Sequence, residues 1–288
     1  MAKILIVGCG DLGAAIALRL QQAQHELIGL RISAKPLPAG IARIQADVTA
    51  PDSLHALSTL HPDIIIYCIA AGAQTDEAYQ AHYVSGLRNV LATQAKNPRL
   101  QHVFFVSSTR VYGQVTTELL DDNVTAVATD FGGERLLQAE ALLQHLPFNA
   151  TVCRLSGIYG PGRLRMIILA KSDKDWPLQN SWSNRIHRDD AAAFIVFLVQ
   201  QVVAAKTVLP CYIVTDSSPV SQYEVLNWIA EKMHGSNYVP KHKAATGGKR
   251  LSNTAMLATG FKLQYPNYQS GYQALLDEIA AASLPEQS

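Results

Sequence analysis

The stretch from Lys3 to Leu20 constrains this chain more than any other. Ile4, Leu5, Ile6 and Val7 form an unbroken apolar run, the pattern of a parallel strand buried on both faces. Gly8, Gly10 and Gly13 follow at GxGxxG spacing, and Ala14, Ala15, Ile16, Ala17, Leu18 and Leu20 continue a run suited to a helix. The order strand, glycine turn, helix gives each glycine a task. Gly8 permits the tight turn, Gly10 leaves no side chain between backbone and a pyrophosphate, and Gly13 lets helix and strand pack closely. The free amides and positive dipole end of the helix then face phosphates. The expected dinucleotide contacts are Gly8, Gly10, Asp11, Leu12 and Gly13.

The next strand, His25 to Leu30, ends at Arg31-Ile32-Ser33. An acidic residue about 20 positions after the glycines would hold the ribose 2′-hydroxyl of NAD. Arg31 stands there instead, and a guanidinium makes charge-assisted, bidentate bonds to a 2′-phosphate. NADP is therefore favoured over NAD, with Arg31 as the selecting residue.

Composition excludes several classes. Apolar residues make up 48 % of the 288 and charged residues 16 %, with a formal net charge of +1, so the chain can bury a substantial core and gives no sign of disorder. A nucleic-acid partner is not expected, because the only basic cluster is Lys241, His242, Lys243, Lys249 and Arg250. No apolar run approaches the roughly 18 residues of a membrane span, and the N-terminus enters a strand directly, so no membrane association and a cytoplasmic location are expected. Cys9, Cys68, Cys153 and Cys211 are isolated from one another, the usage of small buried hydrophobes, and no zinc site or other metal site is predicted.

Further strands are predicted at Ala42 to Ala46, Asp63 to Ala70, Gln101 to Ser107 and Asn149 to Leu155, with helices at Pro51 to Leu60, Asp76 to Lys96 and Phe131 to His145. Six strands alternating with helices predict an α/β fold, a Rossmann-type doubly wound parallel sheet. Ala70, Ala71 and Gly72 end the fourth strand, and their small side chains let the backbone lie against a cofactor. Beyond Leu155, Gly157 to Asn184 reads as loop-rich, Asp189 to Val203 as an apolar helix, Pro210 to Val214 as another strand and Gly271 to Ala282 as a last helix. Ser221 to Glu224 fits a capping box opening a helix to about His234, and Lys241 to Arg250 reads as a mobile loop. The expected organisation is a nucleotide-binding domain over residues 1–155, completed by about 186–215, and a smaller C-terminal substrate lobe from 156–185 and 216–288.

The segment Ser107-Ser108-Thr109-Arg110-Val111-Tyr112-Gly113 resembles the SSxxVYG signature of the extended short-chain dehydrogenase/reductases, the family of nucleotide-sugar epimerases and dehydratases. Gly8 to Gly13, Asp47, Ala70 to Gly72, Arg154 to Gly162, Asn184 to Asp190 and Gly260-Phe261 also stand where that family has comparable text, so the resemblance covers nearly the whole chain. It implies cofactor contacts at Asp47 and Val48, a small-molecule substrate such as a nucleotide sugar, and a homodimer through the helices at 76–96 and 131–145. It also implies a Ser or Thr that bonds the substrate oxygen, a Tyr acting as general acid/base, and a Lys four residues later that lowers the Tyr pKa and holds the ribose.

Ser108 matches the first of these. Twenty-three residues on, the sequence reads Phe131-Gly132-Gly133-Glu134-Arg135, with Phe for Tyr and Arg for Lys. Phe131 has no proton to give, so this is an atypical member of the family with a non-standard site. Within that site Ser108 orients the substrate oxygen and Arg135 holds the ribose. Proton transfer would come from Tyr112 or an ordered water, with Glu134 and His187 as similar candidates. Thr109, Arg163 and His187 are expected to meet the substrate. The family's helical Asn is likewise replaced, by Tyr83. The alternative is a catalytically inactive NADP-binding sensor or regulatory protein.

Overall fold

A computed structural model describes residues 1–114, 116–235 and 238–282. In chain order the first half holds β1 (Lys3–Val7), α1 (Asp11–Gln22), β2 (Glu26–Arg31), β3 (Ala42–Gln45), a 3₁₀ helix (Pro51–Thr59), β4 (Ile64–Tyr67), α2 (Asp76–Tyr79), a π-helical turn (Gln80–Ser85), α3 (Gly86–Thr93), β5 (His102–Ser108), β6 (Leu119–Leu120) and α4 (Phe131–Leu142). The second holds β7 (Asn149–Leu155), β8 (Gly157–Tyr159), α5 (Arg165–Ala170), β9 (Trp182–Ser183), β10 (Arg185–His187), α6 (Arg188–Val203), β11 (Cys211–Val214), β12 (Val220–Ser221), α7 (Gln222–His234), β13 (Arg250–Leu251), α8 (Thr254–Ala258) and α9 (Tyr268–Ala282).

Seven strands form one sheet in the order β11-β7-β5-β4-β1-β2-β3. β1 pairs parallel with both β2 and β4, β4 with β5, and β5 with β7. Between β7 and β11 the Val152 amide bonds Pro210 and the Ser156 amide bonds Val214, a register that rises together and is therefore parallel. Ile4, Leu5, Ile6 and Val7 are 0 % exposed, as a strand covered on both faces requires. β3 is mostly exposed and closes the edge with Arg43 and Gln45, polar groups that discourage further strand pairing.

Chain order reverses between β1 and β4. Such a reversal leaves a crevice beyond the carboxyl ends of the two strands, where ligands of doubly wound sheets bind. It sets Gly8 to Gly10 beside Cys68 to Gly72.

The helical segment predicted from Asp76 is interrupted. Tyr67, wholly buried on β4, donates its hydroxyl to the His82 carbonyl. That removes an acceptor from the helical ladder and accounts for the π-turn there. Gly86 is required at the same point, since a Cβ on it would lie 2.6 Å from that hydroxyl. Pro51–Thr59 is likewise 3₁₀ rather than α.

The chain divides into two compact units. One comprises the described residues of 1–114, 125–155 and 192–212, and the other those of 115–124, 156–191 and 213–288. The second contains ordered elements where the sequence read as loop, at β8, α5 and β9. Its core packs Tyr159, Ile167, Trp176, Tyr223, Leu226, Ile229, Tyr268, Tyr272 and Leu275. Tyr159, Ile167 and Trp176 come from short segments whose periodicity is too brief to register as helix or strand, whereas Tyr223 to Ile229 and Tyr272 to Leu275 lie on the two predicted helices. Lys241 to Arg250, expected as a mobile loop, is fastened: Asn180 donates to the Lys243 carbonyl at 2.6 Å, and the Trp182 amide to Gly247 at 2.7 Å.

Asp216 is 1 % exposed, and burial pushes its carboxyl up to about 7 against the opposing charge of Arg185. An acid whose folded pKa is raised binds more protons folded than unfolded, so stability falls as pH rises from about 4 to about 7. Asp216→Asn removes this pH dependence. Denaturant unfolding is expected to show the variant gaining on the wild type between pH 5 and pH 8, by up to about 3 kcal/mol. A gap that does not widen with pH contradicts the assignment.

Candidate active site

The glycine turn has the contacts its spacing requires. Gly8 adopts φ +93°, and a Cβ there would sit 2.8 Å from the Cys68 carbonyl. A Cβ on Gly13 would lie 2.5 Å from the Gly8 oxygen, whereas one on Gly10 would meet nothing within 4 Å. The Gly8 and Cys9 amides both bond the Leu30 carbonyl, at 3.0 and 2.9 Å, which fixes the turn against β2. α1 begins from its N-cap Gly10 without a side-chain cap. An uncapped N-terminus beside an open glycine is a phosphate cradle in form. Cys9 within the turn is buried, and desolvation pushes its thiol up to about 11 although the Arg31 charge opposes this. It therefore stays a neutral thiol at pH 7.

At the end of β2, Arg31 Nε and Ser33 Oγ are buried and have no hydrogen-bond partner. Buried polar atoms are normally satisfied, and two orphans beside the cradle mark a place for a polar group from outside the chain. These residues fit a dinucleotide. Asp47 turns inward on its own loop, accepting from the Thr49 amide and hydroxyl at 2.8 and 2.7 Å. The Val48 carbonyl accepts from Asn89 at 2.9 Å, leaving the Val48 side chain buried. Ala70 and Gly72 are exposed and Ala71 half-buried.

Ser108 closes β5. Its Oγ accepts from the Arg110 amide at 3.2 Å, capping the single 3₁₀ turn Thr109–Val111, with Thr109 buried. The hydroxyl proton of Ser108 remains available to a substrate oxygen. Tyr112, by contrast, is 0 % exposed: its oxygen accepts from Arg154 Nη1 at 2.7 Å, and the guanidinium lies 5.0 Å from its ring centre. Arg154 pairs with Glu140 at 2.6 Å, and Ser107 Oγ donates to the same carboxylate at 2.6 Å. This buried network ties β5, α4 and β7 together and locks the Tyr112 phenol inside it.

Phe131 opens α4 behind Asp130, which caps the helix by accepting from the Gly133 amide at 2.8 Å. Arg110 organises the surroundings. Its Nε donates to Asp130 at 2.9 Å, and its Nη1 donates to Gln74 and to the Tyr79 hydroxyl at 2.9 Å each. The guanidinium lies 4.9 Å from the Phe131 ring centre and 5.0 Å from that of Tyr79, within cation–π range. A Cβ on Gly132 would be 2.4 Å from Arg110 Cζ, so that glycine makes room for the guanidinium. Arg135 is held by Asp76 in a two-pronged pair at 2.7 and 2.8 Å, and hydrogen bonding from Arg135 holds the Asp76 carboxyl below its usual range. Glu134 is exposed.

In the second unit His187 is 1 % exposed. It lies edge-on to Tyr159 at 5.2 Å and tilted against Tyr265 at 4.0 Å, and its Nδ1 accepts from the Asp189 amide. Arg163 lines a pocket of about 170 Å³ with Arg165, Arg185, Tyr159 and Tyr272. Arg185 Nη1 and Tyr159 Oη are buried there without partners.

The sequence-predicted residues therefore separate into groups. Gly8 to Gly13, Arg31 and Ala70 to Gly72 gather at the carboxyl end of the sheet around the crevice, with Ser108 ending the neighbouring strand. Tyr112 and Arg135 are engaged by other side chains, and Arg163 and His187 belong to the second unit. Sequence reasoning missed Arg110 and Tyr79 as a hub and Glu140 as the partner of Arg154.

The sheet order and glycine turn define a Rossmann-type fold. Its sequence is matched over residues 4–209 by the model of the NAD dependent epimerase/dehydratase family, and the chain belongs to that family. Among solved structures, a Methylobacillus flagellatus protein described as an NAD-dependent epimerase/dehydratase is 48 % identical, with a TM-score of 0.88, over 97 % of this chain and 99 % of that one. Two more distant structures share the fold. Bordetella bronchiseptica WbmG, solved with NAD and UDP, is 17 % identical over 96 % of each chain with a TM-score of 0.79. Thermus thermophilus UDP-glucose 4-epimerase, solved with NAD, is 17 % identical over 97 % of this chain and 99 % of that one with a TM-score of 0.76. The search of curated proteins gave no significant match. Among the described residues no helix is long and apolar enough to cross a membrane.

Proposed function

We propose that this chain binds NADP in preference to NAD and acts on a nucleotide-linked sugar or related polyol through a non-standard active site. The observation that carries the cofactor reading is the pair of unpartnered buried atoms, Arg31 Nε and Ser33 Oγ, beside the open cradle at Gly10. In this reading the amides of Asp11, Leu12 and Gly13 take the pyrophosphate, Arg31 takes the 2′-phosphate, and Asp47, Val48 and Ala70 to Gly72 line the rest. When bound, the cofactor supplies the hydride acceptor. Ser108 donates to the substrate oxygen, with Thr109 beside it. The second unit's own pocket holds three arginines, Arg163 among them, suited to an anionic group. His187 supports that pocket through the Tyr159 ring.

Calorimetric titration tests the cofactor assignment. Charge-assisted bonds are worth about 1.5–3 kcal/mol each, so Arg31→Asp is expected to shift the NADP-to-NAD affinity ratio by about 10- to 100-fold toward NAD. An unchanged ratio removes Arg31 from the site. The substrate class is tested with a panel of nucleotide sugars, where turnover lost in Ser108→Ala supports the reading.

A second reading, a cofactor-binding protein without turnover, is favoured by the engagement of Arg135 with Asp76, which takes up two of its donors. It expects NADP affinity indifferent to Ser108→Ala and no product from any substrate.

A further inference from the structure

We propose that Tyr83 carries the mobile proton of this site: its phenol, rather than that of Tyr112, meets the reacting oxygen of the substrate. The proposal rests on the cofactor reading above. It begins from the phenols around the crevice end of the sheet and what each hydroxyl is doing. Tyr67 is fully buried and spends its proton on the His82 carbonyl. Tyr112 is fully buried under Arg154. Tyr79 is 7 % exposed, donates to Gln74 at 3.0 Å and accepts from Arg110. Tyr83 alone of the four is only half-buried. The Ala71 amide acts on its hydroxyl in the sense that favours the phenolate, and Ala71 lies in the segment that leaves β4 beside the glycine turn where chain order reverses. Tyr83 therefore stands at the edge where a ligand of this sheet must lie.

Its neighbours suit a proton carrier. The ring packs on Tyr79 with centres 5.0 Å apart, and the Arg110 guanidinium lies over the far member of that pair. An amide donor and a nearby cation both favour the phenolate. Burial works in the opposite sense and leaves Tyr83 raised overall, which keeps the phenol protonated and ready to donate at neutral pH. The residue also sits in the π-turn, a feature found often at functional sites, and Gln80 Oε1 in the same turn is buried without a partner.

The chemistry balances with a nicotinamide cofactor. In the reducing direction the carbonyl carbon takes a hydride from the reduced nicotinamide and its oxygen takes the proton of the Tyr83 hydroxyl, leaving an alcohol and the Tyr83 phenolate, which solvent reprotonates. The oxidising direction is the reverse and starts from the phenolate, which takes the alcohol's proton as the hydride leaves carbon. Arg110 is a positioning residue here, acting through the electrostatics of the phenol.

The test uses the full chain with ring-¹³C-labelled tyrosine, the Tyr83 resonance being assigned by its loss in Tyr83→Phe. Adding oxidised NADP or NAD is expected to move the Tyr83 signal and leave that of Tyr112 in place. The phenol is expected to titrate at least about one pH unit lower with the cationic oxidised cofactor than with the reduced one, because a neighbouring positive charge favours the phenolate. Cofactor binding seen by calorimetry with an unmoved Tyr83 signal overturns the proposal. Absence of cofactor binding overturns the parent reading as well, and the calorimetric blank identifies that case. For any substrate turned over by the wild type, Tyr83→Phe is expected to lower kcat by about 10²–10⁴-fold with cofactor affinity held within about threefold, whereas Tyr112→Phe keeps kcat within about tenfold. Undiminished kcat in Tyr83→Phe also overturns it.

Discussion

Glu140→Leu is expected to cost about 3–5 kcal/mol of folding stability, the loss that follows when one member of a buried ion pair is removed. Glu140 is 7 % exposed, and its carboxylate serves Arg154 and Ser107 at once. Without it the Arg154 guanidinium remains buried against Tyr112 with no counter-charge. Replacing both members, as Glu140→Leu with Arg154→Met, is expected to lose much less than the sum of the singles, because the double variant leaves no uncompensated charge. Urea unfolding of the four proteins checks this. Additive losses would mean that the pair is not the joint it looks like.

Gly10→Ala is expected to separate binding from folding. Its φ of −89° lies outside the left-handed region, and the new methyl meets nothing within 4 Å. Unfolding free energy should stay within about 0.5 kcal/mol of the wild type, while dinucleotide affinity falls by about 10- to 100-fold because the methyl stands where the pyrophosphate must approach. Gly13→Ala should do the reverse at the level of the fold and lose about 2–4 kcal/mol, since its methyl would press on the Gly8 oxygen at 2.5 Å. Calorimetry and denaturant unfolding on the two variants give both readouts. A Gly10→Ala protein that binds NADP and NAD as the wild type does would remove the turn from the cofactor site.

The sheet and its glycine turn were legible in the sequence because each rests on local pattern. Runs such as Ile4 to Val7 and Ile64 to Tyr67 can be buried on both faces only as parallel strands, and the spacing of Gly8, Gly10 and Gly13 states a backbone geometry directly. The π-turn was not legible, since it depends on a hydroxyl from β4 reaching a helix carbonyl fifteen residues later. Nor was the Arg110 hub, whose partners Gln74, Tyr79 and Asp130 lie on three separate segments. Arg135 reads in the sequence as a cation awaiting a ligand, but Asp76, 59 positions earlier, already holds it. Site residues that act through long-range pairs become visible only when the fold brings the pairs together.

The Arg110 hub bears on how this site could be redesigned. A tyrosine placed at position 131 would carry its phenol on a ring that already has a guanidinium 4.9 Å from its centre. A lysine placed at position 135 would have Asp76 competing for it. Positions 76, 110, 131, 132 and 135 are therefore one linked unit, in which each single substitution is expected to change little and the combined set to do more than the sum of its parts. A library that varies them together reaches arrangements that stepwise substitution does not.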